Sequence, residues 1–594
     1  MRAATLSIGL TLVLSVSVSA ASGLRAQTTR NVPAQYPTIQ LAIAVAQTGD
    51  TVAVAAGTYN EAINFTGKAI TIVATQGALL TTIQGVAGQA VVTASTGEGP
   101  GSILNGFTIR GGAPGILITR ASPTIMNCIV TQNAVVNLGG GGVRIVSDVS
   151  GTTAAPLIVG CRITQNQVIT TSPTNQFPFV NGVTATGGGV GAVASNGGAL
   201  SLSFTDNVIA GNSALLGHAG GGLSVIVQSF STANVTMTRC VIEDNIADNF
   251  VGGVYAWDVA SLSFNRCIIR NNIIGSSAGG LYPNTAHGGV FANSSGTVSF
   301  VGCEISGHSI VGPGAAIGTW SLTSQGSLQI QNCTIAGNSG TGGVVFSSMP
   351  TVTVTSSILW GNSPNDFSVP GSTTQPSVAF CNIGPPYGSL PTNIPADPRF
   401  VDPSNGDYHL SSTSPSVNAG IAGAIALPPT DLDGTPRLVG QVDIGADERP
   451  NAAFPGSGVD LDLYAIIGNA GDPLTSTVNA PIGSLLTVRL MSHGSTYVGM
   501  PFMIAGQLYA TGTPPALNPA FPMIQINAFG TVLLYSSVGG APFSQPGLAP
   551  TGLALYYAIP PGLVGNTLRL QAFVVSPLVG PLGFVTTAAR DVAF

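Results

Sequence analysis

The sequence predicts an all-β protein in which short parallel strands stack coil upon coil along one axis from about residue 32 to 395. A short β module at 396–448 and a small β-sandwich over 454–594 complete the chain. Three observations predict this. A frame of the form Cys-x-Ile/Val-x-x-Asn recurs through the chain, with Phe107, Asn207 and Ser357 standing in for the cysteine, at intervals of 21 to 46 residues. A minimum near 21–24 with additions of irregular size is what a stacked repeat with inserted loops gives. A second landmark, a small residue followed by an aliphatic one, precedes most frames by 12 to 18 residues, as at Gly142-Val143 and Gly222-Leu223. Finally, only 7% of the 594 residues are Lys, Arg, Asp or Glu, against about a quarter in an ordinary soluble domain. Few helices with charged outer faces can be built from that.

Composition also excludes partners. The net charge of −6 supplies no positive field for a phosphate backbone, so nucleic acid is not expected as a ligand. Residues 1–26 combine a positive start at Met1-Arg2, an apolar run from Leu6 to Val18 and small residues at Ser19, Ala20, Ala21 and Ala26. That pattern is a secretory signal peptide, too short for a membrane span, and no later stretch offers about 20 unbroken apolar residues. The expected location is therefore outside the cell, secreted or held at the cell surface, with no transmembrane segment.

The N-terminal stretch YPTIQLAIAVAQTGD predicts a short helix, with Pro37 at its first position, Ile39, Ile43 and Ala46 on one face, and Gly49 ending it. Such a helix covers the end of a stack that would otherwise expose an unpaired edge. In the coils, strings such as NCIVTQN (127–133), RCVIEDN (239–245) and RCIIRNN (266–272) place the cysteine and the aliphatic two positions on toward the interior. The residues one before, one after and three after the cysteine then point outward. The asparagine five places after the marker falls where the strand must turn, and a column of asparagines can satisfy turn amides from coil to coil. His308 interrupts that column. Seven cysteines in one inward register are expected to be buried free thiols rather than disulfides.

The segment 36–74, with its helix, strand and Gly-Thr-Tyr-Asn-Glu turn at 57–61, resembles the opening of right-handed single-stranded parallel β-helix proteins of the pectin-lyase-like class. The segment 396–448, ADPRFVDPSNGDYHL through TDLDGTPRLVGQVDIGADE, resembles the terminal module called choice-of-anchor Q, found in exported bacterial proteins. The resemblance implies a right-handed β-helix fold, carbohydrate as the ligand class, and polysaccharide lyase as the obvious activity. Against activity, the later Gln-Asp-Thr, Asp-Phe and Arg-Pro-Trp signatures of pectin methylesterases are missing, as are the paired aspartates of polygalacturonase-type hydrolases. Lyases of the class need an Arg or Lys base and usually calcium held by carboxylates. Lys68, in the N-terminal coil, is the chain's one lysine.

One region carries more chemistry than the rest. In the outward rows, Asp206 and Arg239 stand on successive coils, as do Glu243 and Arg270. Coils about 4.8 Å apart bring each couple within pairing range. Long connectors at about 167–186 and 273–287 would wall a low floor carrying Glu243, Asp244, Asp248 and His218, with Phe177, Phe179 and Tyr282 on the walls. Such a groove suits a glycan, with or without calcium. Arg270 and Glu243 are the catalytic candidates, and Asp244, Asp248, His218, Arg239, Tyr282, Phe177 and Phe179 the substrate-binding ones. In the terminal module Asp431 and Asp433, two apart before a glycine, are the candidate ligands for Ca2+. The sequence favours a non-catalytic exported surface protein that binds polysaccharide, with a polysaccharide lyase as the alternative.

Overall fold

The computed structural model describes residues 27–449, except 87, 170–186, 216–219, 229, 249, 275–286, 310–315, 322–324, 341–344, 369–374, 422–426, 429, 434–436 and 438–441, together with the strands between Asp462 and Ala593. From Thr29 to Ile383 the chain winds through parallel strands on three faces. Among the described residues the long face gathers 23 strands in two side-by-side ladders joined through Val254–Asn265 and Val290–Val301, the second face 12, and a short third face 5. Pairing is parallel and in register between successive coils, as in Val143↔Val190↔Leu223↔Val254↔Val290.

The recurring frame spans a corner, a three-residue strand and a second corner. The residue before the cysteine is the first corner. Asn127, Gly160, Asp206, Arg239, Arg266, Gly302, Asn332 and Ser356 all have φ between 48° and 60°. The residues before the asparagines and before His308 are left-handed too: Gln132, Gln165, Asp244 and Asn271 lie at 53–56° and the glycines at 211, 307, 337 and 361 at 61–67°. One left-handed residue between two strands turns the chain sharply, and Gly, Asn and Asp accept that conformation most readily. Between the corners, strands such as Val241–Glu243 and Ile268–Arg270 point only their middle residue inward.

Two side-chain ladders run up the interior of these corners. All seven cysteines are buried and free, with the main-chain N–H groups of Cys128, Cys267 and Cys303 reaching the Sγ of the next coil at 3.4 Å. Asn207 takes a cysteine's place and accepts from the Cys161 N–H at 2.8 Å. The asparagine column is more tightly bonded. Asn133, Asn166, Asn212, Asn245 and Asn338 each donate from Nδ2 to the next Oδ1 at 2.9–3.1 Å, and from their own main-chain N–H to the same oxygen at 3.0–3.2 Å. The second Nδ2 hydrogen of each goes to a carbonyl of the preceding coil, for example Asn212 to Ile163 and Asn245 to Ile209, both at 2.8 Å. A Cβ on Gly189 would stand 2.7 Å from the Gly222 carbonyl and 3.0 Å from Asn212 Nδ2. The glycine landmark of each coil is thus the surface against which the asparagine ladder packs.

His308 continues the ladder as a neutral ring. Its Nδ1 and main-chain N–H both face Asn338 Oδ1, at 2.9 and 3.1 Å, while Nε2 faces Asn272 Nδ2 at 3.4 Å. The pattern assigns the proton to Nδ1, so that the imidazole donates on one side and accepts on the other, as an asparagine does. Burial pushes its pKa down to about 4.

At the N-terminus the helix is Ile39–Val45, capped by the Thr38 side chain rather than opened by Pro37. Glu61, the last residue of the Gly-Thr-Tyr-Asn-Glu turn, accepts from the N–H groups of Ile39 and Gln40 at 2.9 Å, and Lys68 Nζ donates to the carbonyls of Ile43 and Ala44 at 2.7 Å. A carboxylate at the helix start and a cation at its end complement the helix dipole. Both residues serve the N-terminal cap structurally. Ile39, Ala42 and Ile43 are buried against the first coil. Beyond residue 449, Asp462–Ile467, Leu485–Met491 and Leu553–Ala558 form one antiparallel sheet, and a second, mixed sheet is built around Phe502–Ala510 and Asn566–Val575. No helix among the described residues is long and apolar enough to cross a membrane.

Two predictions follow from the ladders. An unfolded histidine takes up its proton near pH 6.5 while His308 resists until about pH 4. Between those values the unfolded state holds more protons, so stability falls as the pH drops, by about 3 kcal/mol across the window. His308→Asn should remove that component of the acid dependence in denaturant titrations run from pH 7 to 4, and it should fold. In denatured, unreduced protein a thiol titration should count close to seven free thiols. In native protein labelling should be slow, because burial pushes a thiol such as Cys381 up to about 12.

Candidate functional site

The outer wall of the second face holds the ion pairs that the sequence spacing predicts. Glu243 and Arg270 are register partners on adjacent coils and meet at 2.8–2.9 Å. Asp206 and Arg239, both at left-handed corners, make a two-point contact at 2.5 and 2.6 Å. The proposed floor does not converge on one face. Glu243 ends a second-face strand, Asp244 is the corner residue at φ 54°, and Asp248 follows the third-face strand Ile246–Ala247. The left-handed turn at Asp244 sends the two flanking carboxylates around an edge of the coil. Burial, then the neighbouring Glu243 charge, raises the Asp244 carboxyl. His218, Phe177, Phe179 and Tyr282 lie outside the described residues.

Arg162 is a second-face residue that the sequence reading passed over. It sits one position after a marker cysteine, in the outward row that continues through Val208 and Val241. It is half-buried, and burial lowers its guanidinium pKa against the opposing field of Glu243. Among the described residues it forms no ion pair.

On the long face, alternation in Val254–Asn265 turns Val254 and Ala256 inward, which leaves Tyr255 and Trp257 on the outside. The next coils add Phe291 and Trp320. Tyr255 stacks on Phe291 at 5.7 Å and on Trp257 at 6.4 Å, His287 stacks on Phe291 at 5.0 Å, and Trp320 meets Trp257 edge-on at 6.4 Å. Tyr255, Trp257 and Phe291 are buried, while Trp320 is 37% exposed at the end of the stripe. The connectors 170–186 and 275–286 lead into the strands at 190–194 and 290–301 on this same face. The signal was available as Tyr255-x-Trp257 at the strand position that Phe291 and Trp320 occupy in later coils, but it becomes a stripe only in register.

The module at 396–449 lies back on the outer second face. Ala446 N–H donates to Thr334 Oγ1 at 3.0 Å, Asn332 Nδ2 to the Asp443 carbonyl at 3.3 Å, and Gly445 N–H to the Ser356 carbonyl at 2.9 Å. Leu410 and Ile444 pack on Ile358, and Leu432 and Ala446 on Ile268. Arg437 is fully buried, paired with Glu448 at 2.9 Å and donating to the Gly445 and Ala446 carbonyls. Burial, partly offset by Arg437, pushes Glu448 up to about 8.

Asp431, the first of the two aspartates before the glycine, is bonded to main chain. Its Oδ1 accepts from the Asp433 N–H at 3.0 Å and its Oδ2 from the Glu448 N–H at 2.7 Å, so both oxygens tie the loop together. Asp433 instead turns to a residue that the sequence reading did not select. His409 Nε2 is 2.6 Å from Asp433 Oδ2, and its Nδ1 is 2.6 Å from Asp407 Oδ1. Burial opposes the imidazolium, but Asp433 and Asp407 outweigh it and hold the pKa well above the usual histidine value. Asp447 joins them, its carboxyl raised well above the usual range by burial and by the charges of Asp433, Asp431 and Glu304, against the opposing pull of His409.

A family model described as "Right handed beta helix region" matches residues 239–383. Together with the parallel register, that decides the architecture. The coil stack is a right-handed parallel β-helix. A solved structure of pectate lyase Pel9A is similar to 69% of this chain and 90% of its own, at 14% identity and a TM-score of 0.36. No curated protein matches the chain.

The two kinds of ion pair should differ in mutational cost. Arg270→Ala breaks a contact that is 41% exposed on the arginine side and should cost under about 1 kcal/mol in a urea midpoint analysis. Arg437→Ala strands a buried Glu448 and should cost about 3–5 kcal/mol.

Proposed function

We propose that this protein is an exported, non-catalytic β-helix that binds polysaccharide along its long face. The observation that carries the reading is Trp320, 37% exposed on the outside of the long face and backed edge-on by Trp257 within the buried cluster of Tyr255, Trp257 and Phe291. Aromatic faces stack on the apolar faces of sugar rings without needing charge, which suits a chain with so few charges. The pairing of Arg270 with Glu243 and of Arg239 with Asp206 supports a structural use of those residues. Residues 1–26 supply the export signal, and the likeness of 396–448 to the choice-of-anchor Q module supports a place at the surface of a bacterial cell.

A specific observation favours a second reading, a polysaccharide lyase acting on an acidic glycan. Arg162 is a partly desolvated arginine with a lowered pKa near Glu243, and proton abstraction next to a uronate carboxylate needs such a base.

The deciding experiment titrates a panel of neutral and acidic oligosaccharides against wild type, against Trp320→Ala and against a variant with residues 170–184 replaced by a short Gly-Ser linker. Loss of one stacking contact should weaken binding about 3- to 10-fold. Unchanged affinity in both variants, with the fold intact, removes the proposal. An ultraviolet-absorbing unsaturated product formed in the presence of calcium and abolished by Arg162→Ala would put the lyase in its place.

A further inference from the structure

The joint between the terminal module and the β-helix carries a donor set that neither the sequence motifs nor the comparisons assign. His409 comes from the strand Asp407–Leu410, and Asp433 and Asp447 from the loops that follow. One ligand atom from each lies within 4.8 Å of the other two. Glu304, on the strand Glu304–Ser306 of the coil beneath, stands in the field of both His409 and Asp433.

Two further features go beyond a collection of acidic groups. The first is Asp447. Its side chain belongs to a residue that is only 7% exposed, it is directed at His409 and Asp433, and among the described residues its carboxylate receives no hydrogen bond. A buried carboxylate without a donor is costly, and the usual remedies are a proton or a cation. The second is the backing of His409. Asp407 accepts from Nδ1 at 2.6 Å, which leaves Nε2 turned to Asp433 and Asp447. A carboxylate behind the distal ring nitrogen is the usual support of a metal-ligating imidazole, since it fixes the tautomer and raises the ring's basicity. Asp407 Oδ2 is itself buried with no partner. His409 remains one-third exposed, so an ion can reach the set from solvent.

We propose that His409, Asp433 and Asp447 bind one divalent transition-metal ion of the zinc class, and that the ion ties the strand Asp407–Leu410 to the two loops of the terminal module that carry the aspartates. One imidazole nitrogen with carboxylate oxygens suits Zn2+, whereas Ca2+ takes six to eight oxygens and has little use for an imidazole. Metal entry displaces the proton shared between His409 and Asp433 and opens their 2.6 Å contact to the separation of two ligands on one ion. The arrangement differs from the Asp431–Asp433 pair suggested by the sequence, because Asp431 is committed to main-chain N–H groups.

The test uses the full, untagged chain, stripped with a chelator and titrated calorimetrically with ZnCl2, CaCl2 and MgCl2, with bound metal counted by elemental analysis. Wild type should take one zinc per chain and show a rise in its thermal midpoint that grows with zinc concentration. Asp447→Asn and His409→Gln should lose at least 100-fold in zinc affinity and lose the midpoint rise, and Asp407→Asn should lose about 10- to 100-fold. Because a variant can fail for reasons of folding, the visible spectrum of wild type loaded with Co2+ provides an independent measurement, with tetrahedral nitrogen–oxygen bands expected. The proposal is overturned if wild type binds no stoichiometric zinc, if calcium binds in its place, or if folded Asp447→Asn retains wild-type zinc affinity.

Discussion

The β-helix depends on a single repeated contact: the amide of one asparagine bonded to the amide of the next, pressed against a glycine main chain. Each asparagine in the column from Asn133 to Asn245 gives both Nδ2 hydrogens, and Asn166, Asn212 and Asn245 each receive two N–H donors at Oδ1. Main-chain groups at a buried corner would otherwise lose water without replacement. With the corner satisfied, the coil can turn inside the protein rather than at its surface. The three-residue strands on either side then keep their register, and with it every outward row.

That register decides where chemistry can appear on the outer wall. Left-handed corners at both ends of a short strand leave only two outward positions per coil on the second face, and the stacking distance forces residues in one row to be neighbours. Arg270 falls on Glu243 and Arg239 on Asp206 for that reason. The same corners separate residues close in sequence, such as Glu243 and Asp248. On the long face the strand Val254–Asn265 runs extended through Tyr255 and Trp257 before its left-handed residue Asp258, so side chains of one type can meet across coils there, and they do so as aromatics.

The terminal module is held by a different logic. Its charged residues are spent mostly on its own loops: Arg437 on Glu448 and two carbonyls, Asp431 on two N–H groups, Asp443 on Asn418 and Arg449. Closely spaced aspartates look alike in sequence whether they cap a turn or face a cation. Only the position of the nearest N–H groups separates Asp431 from Asp447, and those come from residues up to 17 positions away.

The amino-acid sequence alone determined the repeat, the inward cysteines, the asparagine column and the pairing of charges on adjacent coils, because each follows from a constant coil spacing and a two-residue alternation. His308 as a member of the column was legible only as an interruption, since its service as a neutral asparagine substitute depends on which ring nitrogen meets which amide. The aromatic stripe, the exposed edge at Trp320 and the gathering of His409, Asp433 and Asp447 over Glu304 were decided by the tertiary structure. They join residues across coils, or from a returning segment more than a hundred positions along the chain, and no local period in the sequence encodes a contact of that range.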